Sequence, residues 1–155
     1  MTEPDTGSDA SSITSTAKKV SGGYLLNGRK RWIGNATFSD FILVWARNLA
    51  ENGAIQCFLL RKGTKGLKTS KIEHKVALRA VQNANIEMVD VFVPDGERLE
   101  LAKDFASGTK EVLMHSRIYV AWMATGIAAG ALECAMAYCK ERVQFKKPIS
   151  GHQLV

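Results

Sequence analysis

The sequence predicts an α+β protein, with an antiparallel β-barrel or sandwich followed by one long helix from an incomplete helical bundle. Two observations carry this. Between residues 13 and 94, about six short β-branched or alternating runs are separated by Asn, Gly and Pro turn signals. From Ser107 to Arg142 there is no proline, and the apolar spacing becomes helical: Leu113, Val120, Ile127 and Cys134 recur every seven residues, with Arg117, Ala124, Ala131 and Tyr138 beside them. The change of period divides the chain into a β-domain over residues 1–100 and a helical start over residues 101–155.

Taken in order, Thr2 to Asp9 reads as a tight bend. Pro4 fixes one backbone angle, Asp5 and Thr6 favour a turn, and Gly7 tolerates positive φ. Such a bend offers short hydroxyls (Thr2, Ser8) and backbone N–H groups, which together suit a phosphate or a polar ring edge; it equally suits a frayed chain start. Ile13 to Val20 is a plausible strand. Tyr24–Leu26, Asn27-Gly28 and Arg29–Ile33 read as a hairpin, because Asn-Gly favours a two-residue turn, and its second strand delivers Trp32 to an end. Phe41 to Ala46 is apolar at every position, which predicts a central strand covered on both faces. Glu51-Asn52-Gly53 turns the chain and Ile55 to Leu60 returns. Val89, Val91 and Val93 alternate with Asp90 and Phe92 up to Pro94, which stops the last strand.

In the helix, the face carrying Ile118, Trp122, Ala129, Leu132 and Met136 is apolar as well. A helix apolar all round is buried among others or spans a membrane. The uncharged run from Ile118 to Leu132 is about 15 residues, short of the ~20 that a bilayer needs. A bundle helix is therefore expected, and the Gly126/Gly130 pair suits close packing there. Such a helix needs partners, so the sequence reads as a piece of a larger protein.

Composition narrows the function classes. The 155 residues are 46% apolar and 23% charged, ordinary for a globular chain, and the net charge of +6 favours anionic partners. The lysine-rich stretch Arg61, Lys62, Lys65, Lys68, Lys71, Lys75 has only Phe58 near it, so no stacking platform for nucleic acid is evident and a solvated face is expected. Lys62-Gly63-Thr64-Lys65-Gly66 lacks the ending of a phosphate-binding P-loop. The 3 cysteines and 3 histidines have no metal or redox spacing, so no metal site is expected. Cys57, Cys134 and Cys139, odd in number and without that spacing, read as reduced, intracellular and structural; no secretion signal opens the chain, and Gln153-Leu154-Val155 is no peroxisomal address.

Two stretches together, Thr2-Glu-Pro-Asp-Thr-Gly-Ser-Asp9 and Lys30-Arg-Trp-Ile-Gly-Asn35, resemble the acyl-CoA dehydrogenase and acyl-CoA oxidase family. The resemblance runs over nearly the whole chain and is strongest to glutaryl-CoA dehydrogenases and plant peroxisomal short-chain oxidases. It implies an FAD cofactor held between a β-domain and a helical domain, with Thr2, Gly7, Ser8, Trp32, Ile33 and Gly34 against it. Arg142-Val143-Gln144-Phe145 resembles the segment that reaches a neighbouring subunit's FAD, and Gln153, eleven residues after Arg142, matches a second such contact. A homo-oligomer, dimer or tetramer, is implied. Lys146 stands where the family has glycine, which puts the local turn in question. Ser8, Leu113, Met114, His115, Ser116 and Arg117 correspond to acyl-CoA contacts, although the 113–116 segment lacks the Asp/Asn-rich pattern of several relatives. Arg117 alternatively serves a structural pair in the helix core, where an unpaired charge is costly; Arg142 alternatively favours a helix C-terminus.

The implied reaction is α,β-desaturation of a short-chain acyl-CoA in fatty-acid β-oxidation. The catalytic glutamate is expected beyond Val155. Gly34 lacks a hydroxyl that many dehydrogenases carry there, which favours an oxidase; the resemblance implies a peroxisomal location, with a mitochondrial one as the alternative. The alternative is a catalytically silent flavin- or CoA-binding fragment or partner subunit. By itself the 155-residue chain is expected neither to turn over acyl-CoA nor to retain FAD tightly, and to self-associate through its apolar helix.

Overall fold

A computed structural model describes residues 1–155, apart from the side chain of residue 111. The chain divides into two compact units, Met1–Lys110 and Glu111–Val155. The first holds a six-stranded sheet in the order β4-β3-β1-β2-β6-β5. Its strands are β1 (Thr16–Val20), β2 (Gly23–Gly34), β3 (Phe41–Asn48), β4 (Ala54–Arg61), β5 (Leu67–Lys71) and β6 (Asn83–Pro94). The sheet is not a closed barrel. It ends at β4 and β5, although the segment after β6 covers part of the β4 edge: Phe58 bridges Arg98, and the Leu99 N–H donates to the Cys57 carbonyl at 2.9 Å. Pairing is antiparallel except between β1 and β3, where Thr16 faces Arg47 and Ala17 faces Asn48 in a short parallel ladder. The core is the inner face of the sheet, with Leu26, Val44, Phe58, Leu60, Ile86, Val91 and Val93 buried and Tyr24 edge-on to Phe58 at 5.2 Å.

Three local expectations are corrected. Asn27-Gly28 is not a hairpin turn, for β2 runs straight through it, and the β1–β2 hairpin turns instead at Ser21-Gly22, with Gly22 at φ +76°. Gly28 serves a close approach. A Cβ there would lie 2.3 Å from Ser15 Oγ and 2.8 Å from Ser15 Cα, and a shift in register against β6 falls beside it. That bulge is matched across the ladder: Asp90 takes φ +48°, its N–H donates to Asn27 Oδ1 at 2.9 Å, and Asn27 Nδ2 donates back to Asp90 Oδ1 at 2.9 Å. The alternation of β6 is reset there, so Val91 and Val93 are buried while Val89 is exposed.

The first strand begins at Thr16 rather than Ile13, after a single 3-10 turn at Ala10–Ser12. Among the described residues, β3 is fully buried on one face only. Ile42, Val44, Ala46 and Asn48 point into the core, whereas Phe41 and Leu43 are about half exposed. On their face Trp45 meets Phe105 edge-on at 5.9 Å. By contrast the Glu51-Asn52-Gly53 turn forms as the sequence indicates, with Asn52 and Gly53 both at positive φ.

α1 (Phe105–Glu141) carries the chain into the second unit. Asp104 caps it, accepting the Ser107 N–H on Oδ1 at 2.7 Å while Ser107 Oγ accepts the Asp104 N–H at 3.3 Å. By length and composition α1 could cross a bilayer, a test that core helices of soluble proteins also pass. Ile118, Trp122, Ile127 and Leu132 are exposed, so the burial that their pattern predicts is not supplied by the described residues. A small hairpin follows, β7 (Val143–Gln144) with β8 (Lys147–Pro148). Phe145 and Lys146 form its turn at φ +51° and +65°, so a two-residue turn of the left-handed kind is made without glycine.

Candidate functional site

The first unit gathers its polar features where the Thr2–Asp9 loop meets the end of β2. The loop bends back on itself over Pro4 and Asp5, and the Glu3 N–H donates to the Thr6 carbonyl at 3.0 Å. The Arg31 N–H donates to the Thr2 carbonyl at 2.9 Å, which joins the loop to β2 directly. Glu3 is the anchor. Its Oε2 accepts from the Thr14 N–H and hydroxyl, both at 2.7 Å. Oε1 accepts from the Ser15 N–H at 2.9 Å, the Ser15 hydroxyl at 2.6 Å and Lys30 Nζ at 2.8 Å. Glu3 is 4% exposed and Lys30 only 1%. Burial pushes the Glu3 carboxyl up, but the hydrogen bonds from Lys30, Ser15 and Thr14 outweigh it and bring the pKa down to about 2. Thus one carboxylate ties the loop to the segment before β1 and to β2.

With Glu3 holding the loop from below, its tip keeps unused donors. The Thr6 hydroxyl is buried without a hydrogen-bond partner. Among the described residues, the Gly7 and Ser8 N–H groups meet no acceptor. Both residues are exposed, and a Cβ on Gly7 would touch nothing within 4 Å. Unpaired donors on a rigid, open loop suit an anionic or carbonyl-bearing ligand.

At the strand end, β2 shifts register against β6 between Lys30 and Ile33, and Trp32 takes φ +62°, unusual for a bulky residue. The shift turns the indole outward: Trp32 is 49% exposed, with the Arg31 guanidinium over its ring at 5.1 Å. Asn83 Nδ2 donates to the Trp32 carbonyl at 3.0 Å. Trp32, Ile72, His74, Lys75 and Leu78 line a cleft of about 360 Å³. Ile33 packs against the core, and Gly34 is exposed, with only Val81 Cγ1 near a Cβ at that position, at 3.7 Å. Asn35, at φ +59°, ends the strand; its N–H donates to the Gln82 carbonyl at 2.8 Å.

The structure therefore brings Thr2 and the end of β2 together, and it leaves Gly7, Ser8, Trp32 and Gly34 accessible. The other sequence-predicted residues belong to the second unit. Leu113 and Ser116 are half-buried, the Ser116 hydroxyl donating to the Leu113 carbonyl at 3.3 Å; Met114, His115 and Arg117 are exposed. Arg117 is thus not the buried charge that its apolar surroundings suggest. Arg142 sits just past α1, where its N–H donates to the Tyr138 carbonyl and its carbonyl accepts from Ile149, both at 2.8 Å, while its side chain is exposed. Gln153 is exposed as well. The turn before it is held by Lys147 Nζ on the Gly151 carbonyl at 2.9 Å and by Phe145 edge-on to His152 at 5.9 Å.

Sequence reasoning misses Glu3, Lys30, Lys75 and Asn83. Glu3 looks like one more polar loop residue. Lys30 carried a signal, because it falls in phase with the buried Tyr24 and Leu26 of β2, and a lysine at an inward position needs a counter-charge. Lys75 and Asn83 carry no such mark, since their roles depend on tertiary contacts.

The profile of the acyl-CoA dehydrogenase middle domain matches residues 1–91, and that of the C-terminal domain matches residues 105–155. Among curated proteins, benzylmalonyl-CoA dehydrogenase of Aromatoleum aromaticum is 38% identical over 100% of this chain and 41% of its own length. An acyl-CoA dehydrogenase of Bacillus subtilis is 37% identical over 99% of this chain and 41% of its own. Among solved structures, glutaryl-CoA dehydrogenase of Mycobacterium smegmatis in complex with FADH2 superposes with a TM-score of 0.90 at 32% identity, covering 99% of this chain and 39% of that one. The chain spans about two-fifths of the length of the curated relatives it matches.

Proposed function

This chain belongs to the acyl-CoA dehydrogenase family, and on that premise we propose that it forms one wall of an FAD site in an enzyme that desaturates acyl-CoA thioesters. The observation that carries the proposal is the pairing of an anchored loop with unused donors and an outward-turned indole at the adjoining strand end. The residues fit such a cofactor. Gly7 and Ser8 offer N–H groups to a pyrophosphate or ring edge, Thr6 holds an unspent hydroxyl, Trp32 offers a flat apolar surface, and Gly34 leaves space beside it. FAD bound there supplies the hydride acceptor for the β-hydrogen of the substrate. The chain's own residues bind and orient, and none is assigned as the base that takes the α-proton. That carboxylate and the helical packing that α1 would need are expected from outside these residues.

We read the enzyme as an oxidase from the missing hydroxyl at Gly34, and as one acting on short-chain acyl-CoA thioesters in the peroxisome from its resemblance to the plant oxidases. Open space around the Gly34 Cβ position means that a threonine is accommodated without displacing backbone. In a family enzyme that carries this chain, Gly34→Thr is expected to slow the reaction of reduced flavin with oxygen by about tenfold, a change near 1.4 kcal/mol in the barrier. Stopped-flow reoxidation checks this, and an unchanged rate would assign oxygen access to other residues.

The exposed side chains of Arg142 and Gln153 support a role toward the flavin of a neighbouring copy in a homo-oligomer, with Leu113–Arg117 along the acyl-CoA channel. Arg142→Ala is expected to weaken FAD retention about tenfold or more, the scale of a lost charge-assisted hydrogen bond, with the thermal midpoint unmoved. Equal retention by both proteins would return Arg142 to a helix-terminus role.

A further inference from the structure

Trp32 is held in an unfavourable backbone conformation, and the structure shows what holds it. Its carbonyl accepts from Asn83 Nδ2 at 3.0 Å. The other end of the same amide, Asn83 Oδ1, accepts from Lys75 Nζ, and that nitrogen also donates to the Leu78 carbonyl at 2.8 Å and the Val81 carbonyl at 2.7 Å. All three donors of one ammonium are thereby spent, two on the 72–81 loop and one on Asn83. Asn83 is further fixed by its own backbone, since its carbonyl accepts the Ile72 N–H at 2.8 Å and its N–H reaches the Val81 carbonyl at 3.0 Å. Lys75 is half-buried and also lines the cleft beside the indole. The loop that it gathers holds two further left-handed residues, His74 and Leu78 at φ +57° and +48°, and Val76 there is fully exposed.

We propose that Lys75 is a positioning residue for Trp32, acting through Asn83 to fix the indole at the cleft wall. The proposal rests on the reading of Trp32 as part of the flavin wall, and it adds the device that sets the pose. Lys75 does not touch the reacting atoms. Its hydrogen bonds over-determine a left-handed residue, a common way to keep a bulky side chain in a conformation that it would otherwise leave.

The test is a mutant cycle in a family enzyme that carries this chain, read by FAD affinity and by the near-ultraviolet circular dichroism of the FAD-free protein. Lys75→Met is expected to weaken FAD binding about tenfold in the wild-type background and less than about twofold in a Trp32→Phe background. Should Lys75→Met disorder the loop, Asn83→Asp separates the steps: it still accepts from Lys75 but cannot donate to the Trp32 carbonyl, and the same loss is expected. Equal losses in both backgrounds, or no loss from either variant, would overturn the proposal. The dichroism distinguishes the two ideas. Trp32→Phe without effect on FAD defeats the flavin reading. Positioning then stands only if Lys75→Met abolishes the indole band that Trp32→Phe removes, and an unchanged band overturns it.

Discussion

Glu3→Ala is expected to destabilise the first unit by about 3–5 kcal/mol, because it strands Lys30, only 1% exposed, without its counter-charge. The same substitution frees four further donors on Thr14 and Ser15 that now end on the carboxylate. Glu3→Gln combined with Lys30→Met should recover much of that loss, since a buried ion pair is often replaceable by neutral groups of similar volume while half a pair is not. Denaturant midpoints of the three proteins check the order. The pH dependence has a definite sign. The carboxyl pKa falls on folding from 4.5 to about 2, so its stabilisation is complete above pH 4.5 and is lost as the pH drops through about 2. Lys30→Met removes a bond that lowers this pKa, so its acid transition should move to higher pH than that of the wild type.

Gly28→Ala should be comparably severe, at about 3 kcal/mol or more. The backbone there stands at φ +138°, and the new methyl would lie 2.8 Å from Ser15 Cα, so β1 and β2 must separate to admit it. Ser15 is also a Glu3 ligand, and the damage should therefore spread to the loop that the carboxylate anchors. Thermal unfolding gives the magnitude. FAD retention should fall along with stability, whereas Gly7→Ala, where a Cβ meets open space, should leave the midpoint nearly unchanged.

The change from short strands to one long helix was legible, because the period of the apolar residues changes and periodicity survives without tertiary information. The long helix emerges within two residues of its expected limits, and Asn52-Gly53 turns as its composition requires. Asn27-Gly28 misled, since the same dipeptide that favours a turn also suits a bulge where a neighbouring strand comes too close for a Cβ. Closure of the sheet was equally invisible: runs of alternating residues do not say whether the edges meet, and here β4 and β5 remain ends. At the site, the loop and Trp32 were legible as motifs. Their supports were not. Glu3 pairs with a residue 27 positions away, and Asn83 reaches Trp32 across 51, distances over which local pattern carries no signal.

Whether the Thr2–Asp9 loop and the end of β2 form a flavin wall is tested most directly by the visible spectrum of a family enzyme that carries this chain. A yellow protein is expected, with flavin bands that persist through gel filtration, FAD released on acid denaturation and its fluorescence quenched while bound beside Trp32. Trp32→Leu should relieve that quenching or release the cofactor. A colourless protein that takes up no FAD on titration, or one whose bound flavin is indifferent to Trp32→Leu, would contradict it.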